Sequence, residues 1–210
     1  MSSFLTFGIE RSEQLATAFG EHIVLVVITL LVSVVLAAAL TAALRKVARI
    51  AEYVQAALSA LYSVPSLALF VLCIPLLGIG RTTAIVVLVA YNQFLLVRNF
   101  TVGLNEVDPG LVEAAQSLGM SRVQTFLYVQ LPTALPVFIA GIRLATISTI
   151  GIASIAAVID AGGLGVLLFS GLRTRNLDML LWGTLLAGGL ALAVNAVLSQ
   201  LESRFTRPCK

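Results

Sequence analysis

The stretch that most constrains this chain is residues 23–44. It is apolar apart from Thr29, Ser33 and Thr41, and it carries no charge. As a helix it reaches about 33 Å, enough to cross a hydrocarbon layer of about 30 Å. In lipid such a segment can satisfy its backbone N–H and C=O groups only by coiling on itself. Four further runs follow, at residues 54–77, 82–97, 136–159 and 179–198. Charged residues make up 11% of the chain, against about 25% in a soluble domain. The expected fold is all-α: a polytopic membrane protein with about five transmembrane helices.

Charge placement orients these runs. Arg45, Lys46 and Arg49 follow the first run at once, which marks a cytoplasmic end. Five spans then put the N-terminus outside and the C-terminus inside. The inner side holds Arg45, Lys46, Arg49, Arg98, Arg122, Arg204, Arg207 and Lys210, and the outer side holds Arg11, Arg81, Arg173 and Arg175. Arg143 lies early in the fourth run, placed to snorkel to the inner interface or pair with a carboxylate. We expect residues 1–22 to be an outer segment, 23–200 the membrane domain, and 201–210 an inner tail. The first twenty residues include Glu10, Arg11 and Glu13 and lack the basic start and apolar core of a cleaved signal peptide. His22 is expected at the interface just before the first span.

Two runs contain polar or breaking residues. Pro65 and Pro75 interrupt the second, with Tyr62, Ser63 and Ser66 around the first break. Such a break is tolerated where backbone lines protein or a wet cavity, so it is either a pathway-lining kink or a packed one. Tyr91, Asn92 and Gln93 sit mid-way along the third run, where amides and phenols pair or line a path. We take Tyr62, Ser63, Pro65, Ser66, Tyr91 and Asn92 as pathway candidates. In the fourth run Gly141, Ala145, Thr149, Ala153 and Ala157 recur every four residues. That face admits a close helix neighbour, in this subunit or another.

Between the third and fourth runs lies a polar segment, residues 106–132. Asp108-Pro109 is a helix start, with Asp capping and Pro at the first helical position. Gly119 stands where a left-handed C-terminal residue is wanted. Ser121 and Gln124 have capping-box spacing, and Leu131-Pro132 is expected to close a second short helix.

Within that segment Glu113, Ala114, Ala115, Gly119, Val129, Leu131 and Pro132 fall in register with the signature of membrane subunits of binding-protein-dependent ABC importers. The resemblance implies a type I importer permease of the methionine-importer (MetI-like) fold, with a cytoplasmic coupling helix that docks on a separate ATPase. Residues 63–69, 77–80, 97–99, 106–109, 141–146 and 161–165 look like permeases of glycine betaine, carnitine and choline importers. Asp160 stands where that group is expected to carry a small residue or glycine.

The resemblance implies an osmoprotectant importer in a bacterial inner membrane. Its partners would be a cytoplasmic ATPase dimer holding ATP and Mg, an external substrate-binding protein, and a second permease, identical or paralogous. A permease for methionine or another small solute is the nearest rival.

The chain itself carries no enzyme signature. Its only lysines, Lys46 and Lys210, lie outside any phosphate-binding loop. Cys73, Cys209 and His22 offer no metal-ligand cluster, and nothing points to nucleic acid. A secondary transporter would want ion-coupling carboxylates within spans; Asp160 lies only at an end.

Overall fold

The computed structural model describes residues 2–206, all in helices and short connections, with no strand among them. The helices are α1 (Ser2–Glu10), α2 (Ser12–Leu44), α3 (Ala48–Ser63), α4 (Ser66–Leu77), α5 (Arg81–Asn105), α6 (Pro109–Ser117), α7 (Arg122–Thr125), α8 (Leu131–Ile155), α9 (Gly165–Thr174) and α10 (Leu177–Thr206). A π-helical turn, Phe126–Gln130, joins α7 to α8, and a 3-10 turn, Ala156–Ile159, ends α8.

Four rods are long and apolar enough to span a membrane: Ser12–Leu44, Arg81–Asn105, Arg122–Ile159 and Leu177–Phe205. The fifth expected span is not a kinked helix. Helices α3 and α4 meet at 100°. Pro65 forces Val64 into extended backbone, ψ 134°, and is itself extended at ψ 131°, so the helical ladder stops instead of bending. Pro75, by contrast, sits inside α4 without ending it.

Helix α5 is the hub, packed by α2, α8, α3 and α4. Towards the Arg81 end of α5, Leu25, Phe70, Val87, Leu88 and Ile150 form one apolar cluster. Towards its Asn105 end, Ala37, Leu96, Val97, Phe100 and Ala145 form another. The small-residue face of α8 belongs to this intramolecular core. Ala145, Thr149 and Ala153 are buried within the chain, and a Cβ at Gly141 would sit 2.5 Å from the Cβ of Asn99 on α5. Ala157 is half-buried at the end of the stripe. Outward-facing Leu31, Val35, Leu72, Leu76 and Leu192 are exposed, as lipid-facing residues should be.

Several boundaries move. Helix α2 runs unbroken through residue 22, so His22 is not interfacial: it is completely buried and lies against Gly163. Helix α5 continues past residue 97 to Asn105, and α10 continues past residue 200. Leu131-Pro132 does not close a helix. The N–H of Leu131 donates to the carbonyl of Phe126, one residue further back than in an α-helix. That wider turn admits a proline, which lacks an N–H and crowds the preceding turn, and the rod runs on.

The end of the bundle near Arg81 is cross-tied. Glu21 on α2 pairs with Arg81 at the start of α5. The backbone N–H of Gly163 donates to Glu21 Oε2 at 3.0 Å, and that of Gly80 donates to the carbonyl of Ile159 at 2.7 Å. Asp160 adopts a left-handed conformation, φ 62°, which explains why a glycine suits its position. Near the opposite end Arg143 resolves the choice open to it: it pairs with Glu202 of α10 at 3.2 Å and donates to Asn195 Oδ1 at 3.3 Å.

Candidate functional site

The polar segment builds two capped helices at right places for local reasons. The Asp108 side chain accepts from the N–H of Gly110 at 2.8 Å, and Pro109 occupies the first turn of α6. At the other end of α6, the N–H of Met120 donates to the carbonyl of Ala115 at 3.1 Å. The N–H of Gly119 donates to that of Gln116 at 3.0 Å. This paired closure needs a left-handed residue, and Gly119 supplies φ 85°. Ser121 and Gln124 then form a reciprocal capping box, at 3.3 Å and 2.8 Å.

The structure separates the residues of the motif. Glu113 and Ala114 are exposed, whereas Ala115 is 5% exposed and faces inward. The small size of Ala115 therefore serves packing of α6 on its own chain, and Ala114 alone is free for an external contact. Val129 and Leu131 are half-buried in and after the π turn, and Pro132 is exposed. Behind them Leu104, Val107 and Ala134 form a small core, with Val112 and Phe126 against it. It fixes the segment to the end of α5 and the start of α8.

Sequence reasoning missed Leu111 and Leu118, which are 50% and 82% exposed. With Ala114 they fall at spacings of three and four residues, one face of α6. Together with Glu113 they make a short apolar ridge beside a carboxylate. Its signal was in the sequence, as a periodic apolar stripe on a helix too short and polar-flanked to be a span. An exposed ridge of this kind is a surface for protein contact.

The pathway candidates divide. Tyr62, Ser63, Pro65 and Ser66 cluster at the α3–α4 break, with Ser63 and Pro65 exposed. Tyr91 joins them: its hydroxyl donates to the carbonyl of Val64, which the break leaves without a helical partner. The ring of Tyr62 meets Tyr91 edge-on at 5.6 Å and Phe94 at 4.8 Å. Phe94 was not among the pathway candidates, and it closes this aromatic group. Asn92 does not belong there. One residue on, it points across α5, where its Nδ2 donates to Ser33 Oγ at 3.1 Å and to Thr149 Oγ1 at 2.9 Å. It ties α2, α5 and α8 together in the interior. Gln93 Nε2 adds a bond to the carbonyl of Ser33 at 3.3 Å.

Among the described residues no group of three or more His, Cys, Asp or Glu is placed to hold a metal. What the arrangement offers is mechanical. The ridge on α6 passes through Gly119 into α7, and from there one continuous rod leads to Thr149 at the interior polar tie.

Residues 35–207 match the family model described as "Binding-protein-dependent transport system inner membrane component". The chain is 33% identical to the carnitine transport permease protein OpuCB of Listeria monocytogenes, over 98% of this chain and 94% of that one. It is 35% identical to the osmoprotectant import permease protein OsmW of Salmonella typhimurium, over 93% and 94%. In fold it is similar to a chain of the MetNI methionine ABC transporter in an inward-facing conformation, with TM-score 0.83 at 22% identity over 92% of this chain and 96% of that one.

Proposed function

The chain belongs to the family of binding-protein-dependent transport system inner membrane components, and on that premise we propose that it carries a quaternary ammonium osmoprotectant across the membrane. Glycine betaine, choline and carnitine are the substrates in view. The supporting observation is that relatives matched over nearly the whole chain are permeases named for carnitine or for osmoprotectants. In this reading an external binding protein delivers the solute, and an ATPase dimer docks on the α6 ridge. A second permease completes the pathway at the α3–α4 break. ATP and Mg are held by the ATPase, and hydrolysis drives the change of access. Tyr62, Tyr91 and Phe94 present ring faces and edges at that break, the chemistry that attracts a quaternary cation weakly in passing.

The test is uptake by the assembled complex with unlabelled competitors. Glycine betaine, choline or carnitine should compete and methionine should not. Competition by methionine alone would move the chain to another importer group.

The orientation, N-terminus outside and C-terminus inside, rests on charge placement and is tested by thiol labelling. Leu118 and Leu177 are 82% and 72% exposed at opposite ends of the bundle. On a cysteine-free background, Leu177→Cys should react with an impermeant reagent in intact cells. Leu118→Cys should react only after the cells are opened. The opposite pattern would invert the topology.

A further inference from the structure

An apolar cavity of about 370 Å³ runs between α2 and α8 on the inner half of the bundle. It extends on α2 from Val34 to Arg45 and on α8 from Leu131 to Ile142, with Phe100 and Phe138 among its walls. Each wall spans twelve residues, about 17 Å of helix, close to the hydrocarbon thickness of one bilayer leaflet. That length and the apolar lining suit an extended hydrocarbon chain. The lining is almost wholly apolar up to its inner mouth, where Arg45 stands.

The mouth is basic. Arg45 donates through both terminal nitrogens to Gln130 Oε1 at 3.3 and 3.4 Å, which holds the guanidinium over the opening and leaves further N–H donors free. Lys46 follows on the exposed connection to α3 and Arg49 is exposed in the first turn of α3, and neither has an ion-pair or side-chain hydrogen-bond partner among the described residues. One carboxylate, Glu52, lines the adjoining cleft with Arg45, so the mouth stays net positive. We propose that this groove binds one anionic phospholipid of the inner leaflet, with an acyl chain between α2 and α8 and its phosphate at Arg45 and Lys46. The lipid would then bridge the inner end of α2 to the π turn that carries the coupling segment, since Gln130 belongs to that turn. The occupant follows from leaflet-length walls, an apolar lining and charge complementarity at one end.

The test uses the full complex in nanodiscs, with Trp182→Phe to remove the native tryptophan and Leu135→Trp to place a reporter in the groove. Brominated phosphatidylglycerol and brominated phosphatidylcholine are titrated as quenchers. Phosphatidylglycerol should quench with an apparent preference of about fivefold or more, the order expected for a basic residue facing an anionic lipid. Arg45→Gln and, separately, Lys46→Gln should each reduce that preference, and Arg45→Lys should retain it. Variants are compared only where the complex elutes intact, and Lys46, whose side chain makes no ion pair or hydrogen bond among the described residues, guards against a folding defect at Arg45. Equal quenching by the two lipids would reduce the groove to ordinary lipid contact. Absence of quenching by either would mean that protein, such as a second permease, covers it. Each result overturns the proposal, and neither bears on the transported solute.

Discussion

Uptake should fall about tenfold or more in Gly119→Val, with the protein still inserted in the membrane. The expected loss follows from backbone conformation alone. A Cβ at Gly119 would meet nothing within 4 Å, so there is no clash to relieve. What the valine resists is φ 85°, a state disfavoured for a branched residue at about 1–3 kcal/mol. If the turn relaxes, the carbonyls of Ala115 and Gln116 lose their closing N–H partners. The direction of α6 relative to α7 then changes, and Leu111, Ala114 and Leu118 no longer present one ridge. Gly119→Asn should be far milder, because Asn tolerates the left-handed region. Glu113→Lys should give a similar loss of uptake by reversing the charge beside the ridge, without straining the backbone. The measurement is ATPase retention on purification together with uptake. Normal retention and normal uptake in both Gly119→Val and Glu113→Lys would remove this segment from the coupling role.

The second large effect is expected on stability, in Gly165→Val. Gly165 opens α9 against the end of α8, and a Cβ there would overlap the backbone carbonyl oxygen of Ser154 and lie 2.7 Å from the Cβ of Ala157. A helical carbonyl cannot swing aside as a flexible side chain can. Helix α9 must lift, and Leu164 and Leu167, both buried in the cluster with Leu15 and Met179, lose their packing. Overpacking of this kind costs about 1–3 kcal/mol and at times more. In a chain of this size that lowers the unfolding midpoint by roughly 2–12 °C. The comparison variant is Gly188→Ala in α10, where an added Cβ meets nothing within 4 Å. It should be neutral or slightly stabilising, since alanine favours a helix over glycine by about 1 kcal/mol. Thermal melts of both in one detergent decide the matter. A Gly165→Val midpoint equal to that of the parent would show that α9 is not held at this contact.

The sequence by itself determined everything that depends on near neighbours along the chain. The caps of α6 and α7 are examples: Asp108, Pro109, Gly119, Ser121 and Gln124 act on backbone groups at most a few residues away. The spans were legible for a related reason, because lipid forbids unpaired backbone and so selects long apolar helices. What tertiary structure alone decided is which face of each helix looks where. Lipid is as apolar as a packed core, so an apolar residue in a span does not reveal whether it faces a helix or the bilayer. That is why Asn92 proved to join α2 to α8 and not to the break one residue away at Tyr91, and why His22 lies inside. It is also why the α8 stripe packs within its own chain. Proline carried the same ambiguity. It ended a helix at Pro65, was absorbed within α4 at Pro75, and was accommodated by a π turn before Pro132, and each outcome depended on which neighbouring groups could take up the hydrogen bonds that proline leaves open.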